Sequence, residues 1–191
     1  MIEKSTTLAY VVGVALGDGN LSCPNGRALR LRVTCDNQYP NIIQEIIAAL
    51  SIIFPKNKVS VCERYKGTCC DISVYSNKLA EFMPWEIYKG TKIVQKAHVP
   101  DWILDNIEYS NYCLKGLIQT DGSIYKDREY LIVNFTNLIK PLIDDVFNMI
   151  SALGFQPKIQ SSIQKNGNIK YVVRLSKDVH SFIDYIKLSK T

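Results

Sequence analysis

The sequence predicts an α+β protein built from two copies of one αββαββα unit, arranged about a pseudo-twofold axis with paired central helices and two antiparallel β-sheets. Two short apolar runs end alike, Val11-Val12-Gly13-Val14-Ala15-Leu16-Gly17-Asp18-Gly19 and Leu114-Lys115-Gly116-Leu117-Ile118-Gln119-Thr120-Asp121-Gly122, with their aspartates 103 residues apart. Downstream, at an offset of 100, residues 31–82 and 131–182 share nine identities, among them Leu31/Leu131, Asn37/Asn137, Gly67/Gly167 and Phe82/Phe182. Chance would give roughly three at average composition. The hydrophobic periods follow the same order in both halves, as a duplicated unit requires.

Each copy opens with a short apolar helix, about 7–17 or 110–120, that stops at Asp-Gly. A hairpin follows, with strands at 20–23 and 28–36 around Asn25-Gly26, or at 122–126 and 129–136 around Lys126-Asp127. The three-residue change of offset falls in this turn, where length differences are tolerated. The next helix carries Ile42, Ile43, Ile46, Ile47 and Leu50, or Leu142, Ile143, Val146, Phe147, Ile150 and Leu153, one apolar stripe at helical period. A second hairpin turns at Lys66-Gly67 or Asn166-Gly167, and a last helix holds Leu79 and Phe82, or Val179, Phe182 and Ile186. Residues 84–109, with Pro84, Gly90, Pro100 and the basic Lys89, Lys92 and Lys96, read as a connector. The expected division is therefore 1–105 for the first repeat with its connector and 106–191 for the second.

The chain has 191 residues, a net charge of +5 and 47% hydrophobic residues, which excludes bulk disorder and coiled-coil or collagen repetition. No run of about 18 apolar residues offers a membrane span, and no secretory signal is expected, so the expected location is intracellular. The six cysteines, Cys23, Cys35, Cys62, Cys69, Cys70 and Cys113, form no C-x-x-C pair, and His98 and His180 are the only histidines. Structural zinc and His-based triad chemistry are thus poorly provided for, and the cysteines read as small buried apolar residues. Oxygen ligands and metal ions are the expected tools of any catalysis.

Gly13 and Gly17 lie four residues apart on one helical face, with Gly116 and Thr120 at the matching positions. Glycine costs about 1 kcal/mol inside a helix, so its use in both copies points to close helix approach. Packed about a pseudo-twofold axis, the helices bring Asp18 and Asp121 side by side at their C-termini. That is an adverse place for carboxylates, because unsatisfied carbonyls and the helix dipole already carry negative charge there. A single Asp-Gly reads as a turn signal. Two of them, each with glycine five residues before the aspartate, read as a cation site in which Asp18, Asp121 and the carbonyls of Gly17 and Thr120 offer hard oxygen ligands to Mg²⁺ or Mn²⁺.

The two nonapeptides resemble the motif of the LAGLIDADG homing endonucleases in their two-repeat, single-chain form. Gly13 and Gly116 match its third position, Asp18 and Asp121 its eighth, and Gly19 and Gly122 its last; Leu16 and Gln119 stand where the motif is acidic. The resemblance implies a site-specific endonuclease that seats two β-sheet saddles on double-stranded DNA, hydrolyses it with divalent metal ions across the minor groove and leaves short 3′ overhangs. It also implies a basic residue near the phosphates: Lys92 is the candidate in the first copy, with Lys190 as its substitute in the second. Family members often carry a glutamine near the end of the second strand, where Cys35 and Phe135 stand here.

Strand parity then selects a DNA-facing set. Leu29, Leu31, Val33 and Cys35 alternate with Arg30, Arg32 and Thr34, a half-buried strand whose open face suits phosphates or guanine edges. The second copy offers Tyr130, Ile132 and Asn134 there. Ser60, Cys62 and Arg64 face out in the third strand, with Gln160, Ser162 and Gln164 opposite, and Lys170, Val172 and Arg174 in the last. The turn residues Lys126 and Arg128 join the set. The same parity would expose Cys70, Ile72 and Val74, so a bulge or slip is expected there. Because the two faces differ, the expected target is a long, imperfect palindrome bound by a monomer that needs no protein partner. The absence of flanking splicing segments argues against an embedded intein. The rival readings are a non-cleaving intron maturase or DNA-binding regulator, and an unrelated duplicated scaffold.

Overall fold

Ser5 starts the first helix by accepting a hydrogen bond from Leu8 N–H, and α1 then runs Thr6–Asp18 in the computed structural model, which describes residues 2–64 and 67–188. Every residue from Leu8 to Leu16 is buried, the signature of a central helix rather than an amphipathic surface one. The chain continues through β1 (Gly19–Ser22), β2 (Arg30–Asp36), α2 (Pro40–Ile53), β3 (Val59–Arg64) and β4 (Cys69–Tyr75). The last helix expected of the first copy is a single 3-10 stretch, Asn77–Glu81. Its Leu79 is fully buried, but Pro84 follows too soon for a longer helix.

After a short α3 (Asp101–Leu104), Asn106 caps α4 (Ile107–Asp121) by accepting from Glu108 and Tyr109 N–H groups. The second unit then repeats the order with β5 (Gly122–Asp127), β6 (Tyr130–Asn137), α5 (Lys140–Ala152), β7 (Lys158–Ile163), β8 (Ile169–Leu175) and α6 (Val179–Tyr185). The expected αββαββα duplication is therefore present. The turn between β5 and β6 sits two residues past the expected Lys126-Asp127, at Arg128-Glu129, where Arg128 adopts φ 57°.

Both sheets are antiparallel, ordered β1-β2-β4-β3 and β5-β6-β8-β7. Leu31, Val33, Cys35, Cys70, Ile72 and Val74 bury their side chains beneath the first sheet, and Val133, Phe135, Val173 and Leu175 beneath the second. The exposure of Cys70, Ile72 and Val74 implied by parity is thus corrected: Asp71 and Ser73 face outward instead. No bulge is involved, since β2 and β4 pair without interruption from Arg30↔Tyr75 to Asp36↔Cys69. The repeat register slips instead. Gly19 pairs with Val33 and Gly122 with Phe135, so Phe135 is the counterpart of Val33; Leu31 pairs with Val74 and Val133 with Leu175, so Leu175 is the counterpart of Val74. A constant offset of 100 does not describe the strands, because each turn absorbs its own length difference.

The connector is pinned to the second repeat. Trp85, Ala97, Val99 and Ile103 are buried, and Val99 N–H donates to Asp145 Oδ2 at 2.8 Å. Burial raises the Asp145 carboxyl above the ordinary carboxylate range, partly offset by that hydrogen bond and by His98. Among the described residues no helix is long and apolar enough to cross a membrane.

Candidate active site and nucleic-acid interface

The seam between α1 and α4 is a backbone contact. A Cβ added to Gly13 would lie 2.1 Å from the Cys113 carbonyl oxygen, and one added to Gly116 would lie 2.6 Å from the Tyr10 carbonyl oxygen. One on Gly17 would meet the Thr120 hydroxyl at 2.0 Å and the Asp121 carboxyl carbon at 3.6 Å. The small residues thus permit the approach that their spacing foretold, and they bring Asp121 against the residue preceding Asp18. Gly19 and Gly122 are required for a different reason: a Cβ on either would lie 2.4 Å from the Ala15 or Ile118 carbonyl oxygen, where the chain turns tightly out of each helix.

The two aspartates face two depressions related by the pseudo-twofold axis. Asp18 lines one with Cys35, Asp36, Gln119, Thr120 and Ser123; Asp121 lines the other with Gly17, Lys92, Asn137, Gln164 and Lys170. Each is completed by the opposite repeat. Lys92, chosen from sequence, stands here. Its ammonium donates to the carbonyl oxygens of Ala15 at 3.2 Å and Leu16 at 2.7 Å, and to that of Gly17, closing the C-terminus of α1. Burial lowers the Lys92 pKa, and the charges of Asp121 and Asp18 act against that shift. The Gly17 carbonyl, expected as a cation ligand, therefore serves Lys92 in this structure. Lys190 lies outside the described residues, as does Lys66 of the second-hairpin turn. Among the described residues no three His, Cys, Asp or Glu side chains converge as a metal cage.

Asn137 is a neighbour that the sequence reading missed. Its Nδ2 donates to Asp121 Oδ2 at 2.8 Å, while its Oδ1 accepts from Leu138 and Ile139 N–H at 2.8 and 3.0 Å. Those two backbone donors fix which end of the amide faces the carboxylate. The constant offset had placed Phe135 at the second-strand position opposite Cys35, but Phe135 is core, and strand pairing makes Asn137 the counterpart of Cys35. Burial, Cys70 and Asp18 together push the Cys35 thiol up to about 12.

The open faces of the sheets carry most of the predicted DNA-contacting set. In the first sheet Arg30, Arg32, Thr34 and Arg64 lie on it, and Asp71 joins them. Asp71 accepts from Thr34 Oγ1 at 2.7 Å and pairs with Arg64 Nε at 3.3 Å and Arg32 at 3.8 Å. In the second sheet Asn134 and Arg174 both donate to the Tyr125 hydroxyl, at 3.0 and 2.9 Å, with Gln160 and Lys170 on the same face and Gln164 just past β7. Three expectations are corrected. Lys126 pairs with Leu131, whose side is the helix-covered one, so it does not share the open face. Ile132 lies on the open side by parity but is 1% exposed. Cys62 is exposed on the outward face that its strand parity gave it, so the reading of the cysteines as buried residues holds for Cys35, Cys70 and Cys113 and not for Cys62; all six are free thiols.

Residues 108–187 match the family model of a LAGLIDADG-like domain. Mesophilic variants of the homing endonuclease I-DmoI share the fold, with a TM-score of 0.68 and 23% identity over 95% of this chain and 94% of theirs. I-DmoI in complex with DNA and Mn gives 0.64 and 20% over 96% of each chain. The N-terminal LAGLIDADG domain of DUF199/WhiA gives 0.62 and 10% over 97% of this chain and 84% of that one. The tRNA-splicing ligase RtcB of Methanopyrus kandleri is 26% identical over 88% of this chain, which spans 19% of that protein's length. The second repeat is thus similar to a LAGLIDADG-like domain, and the chain over nearly its whole length has the fold of I-DmoI.

Proposed function

We propose that this protein is a site-specific endonuclease that binds double-stranded DNA as a monomer and hydrolyses one phosphodiester bond in each strand. The observation that carries the reading is the placing of both motif aspartates at the base of one glycine seam, between two open sheet faces rich in Arg, Lys, Asn and Gln. The similar structure of I-DmoI in complex with DNA and Mn supports the substrate class and the use of a divalent ion.

The donors fit such an ion. Asp18, Asp121 and the Thr120 carbonyl are hard oxygens suited to Mg²⁺ or Mn²⁺, and with so few carboxylates the remaining ligands would fall to DNA phosphate and water. A bound divalent ion supplies Lewis acidity at the phosphoryl oxygen and activates water for attack. The chain's own residues do the rest. The seam fixes the two carboxylates relative to one another, so that each serves one strand. Asn137 holds Asp121 in one orientation. Lys92, within electrostatic reach of both aspartates, places positive charge where the scissile phosphate accumulates negative charge. The saddles seat a long imperfect palindrome through Arg30, Arg32, Thr34, Arg64, Asn134, Gln160, Gln164, Lys170 and Arg174, with short 3′ overhangs as the product of cutting across the minor groove.

The test is Mg²⁺-dependent cleavage of a plasmid library with randomised inserts, comparing wild type with Asp18→Asn and Asp121→Asn. Wild type should linearise a subset of plasmids, and each variant should lose cutting of at least one strand. Sequence-specific binding with no nicking at any metal concentration would overturn the enzyme reading in favour of a DNA-binding regulator or maturase.

A further inference from the structure

The two saddles organise their arginines by different chemistry. In the second sheet a neutral hydroxyl, Tyr125, gathers Asn134 and Arg174, and Arg174 reaches an acid only at the sheet's rim, Asp127 at 3.4 Å. In the first sheet a carboxylate stands in the middle of the open face. The Asp71 side chain is 13% exposed; it accepts a hydrogen bond from Thr34 of β2 and forms ion pairs with Arg32 of β2 and Arg64 of β3. Its counterpart in the second sheet, by the register that makes Val74 and Leu175 equivalent, is Val172. A carboxylate at the floor of a surface meant for a polyanion costs affinity, so its place calls for a different role.

That role follows from the reach of arginine. An untethered arginine on an open strand face samples phosphates on either side of the groove, which adds affinity without sequence information. A guanidinium fixed by a carboxylate loses that freedom and presents its remaining N–H fork in one direction, the geometry needed for the O6 and N7 acceptors of guanine. Arg64 is 48% exposed and Arg32 30%, so both keep N–H groups available on the open side. Arg32 Nε, by contrast, is buried without an acceptor among the described residues, so the placing of its guanidinium leans on the ion pair with Asp71.

We propose that Asp71 is the specificity-determining residue of the first repeat: it holds Arg32 and Arg64 as paired forks for guanine edges in the major groove and withholds them from phosphate. The inference rests on the DNA-binding reading above and adds that the half-site under the first sheet is guanine-rich at its centre while the other half-site is not. The experiment is selection of bound sites from a randomised duplex pool, with binding to one fixed random duplex measured from low to high salt, for wild type, Asp71→Asn and Arg64→Lys. Asp71→Asn keeps the shape and the Thr34 contact. It should bind the random duplex about 10-fold more tightly at low salt, steepen the log K against log salt slope by about one to two, and flatten the guanine preference in one half-site alone. Arg64→Lys keeps the charge and loses the fork, so it should lose guanine preference at one position with the slope unchanged. An Asp71→Asn protein with the wild-type consensus and slope overturns the assignment of Asp71 and leaves the DNA reading standing. A wild-type chain that retains no duplex at low salt overturns both.

Discussion

The two repeats share a backbone and differ in where they place polarity. In α1 the buried stretch is uniformly apolar apart from the Tyr10 hydroxyl, whereas α4 buries Ser110, Lys115 and Gln119. Ser110 Oγ donates to the Ile103 carbonyl of the connector, while the others are satisfied across the repeats: the Lys115 ammonium pairs with Glu45, Gln119 Nε2 donates to Glu45 Oε2 at 2.9 Å, and the Tyr10 hydroxyl donates to Gln119 Oε1 at 2.7 Å. The strand-end residue beside each aspartate is a thiol in one repeat and an amide in the other. The lesson is that duplication fixes what the seam and the sheets require, glycine and alternating apolar residues, and leaves the polar positions free to specialise. A symmetric packing framework carries an asymmetric site.

The largest expected effect tests the symmetric part. Gly13→Ala and Gly116→Ala each gain helix propensity but drive a methyl into the opposite backbone, which can yield only by separating the helices. Each should cost about 3 kcal/mol or more, read as a shift in the urea midpoint, and the two losses should be similar. A loss at one glycine only would show that the seam is not shared equally by the repeats.

Next comes Lys92, whose ammonium alone among the described side chains caps the carbonyls at the end of α1. Lys92→Met keeps the stem and removes the charge. Cleavage should fall roughly 100-fold, as for loss of one preorganised donor, with a smaller loss of stability from the uncapped helix end. Stability loss with unchanged cleavage would reduce Lys92 to a helix cap.

How much of this was legible beforehand follows from which interactions set each feature. The helix pair, the Asp-Gly ends and the strand alternation are local patterns with fixed periods, so Gly13, Gly116, Asp18 and Asp121 could be placed from the residues themselves. Lys92 was legible through the family resemblance and its seat in the connector. Asn137 and Asp71 were not, because both depend on strand register. Register is decided by backbone pairing after each turn has taken up its own length, and one residue of slip exchanges Asp71 for Ile72 on the open face. The same slip made Phe135 rather than Asn137 look like the partner of Cys35. Strand parity taken from β5 itself would have removed Lys126 from the DNA set, since it stands two residues after the core-facing Ile124.

A smaller effect sharpens the asymmetry of the strand ends. Asn137→Ala removes the amide that donates to Asp121 Oδ2 and should slow nicking of a single strand about 10-fold, the usual scale for losing a group that orients a ligand. Cys35→Asn gives Asp18 a comparable amide and should narrow the difference between the strands by a few-fold. Strand-resolved nicking of a supercoiled substrate distinguishes them. Equal slowing of both strands by Asn137→Ala would mean that the two aspartates act as one unit.

The smallest effect concerns Cys35 in the wild-type chain. Burial, the neighbouring Cys70 and the negative charge of Asp18 all oppose thiolate formation, so the thiol is pushed up to about 12. The sign is that of an acid whose neutral form is favoured by folding: below that value Cys35 stays protonated, and reactivity appears only as pH climbs toward it or as the chain unfolds. At pH 8, iodoacetamide should label the exposed Cys62 while Cys35 stays unlabelled, with site occupancy read by peptide mass spectrometry. A divalent cation held at Asp18 would cancel part of the charge that disfavours the thiolate, so labelling of Cys35 near pH 10 should quicken when Mg²⁺ is added. Asn137 offers no such handle, so this response reports on the first aspartate alone, and a rate indifferent to Mg²⁺ would place the cation away from Asp18.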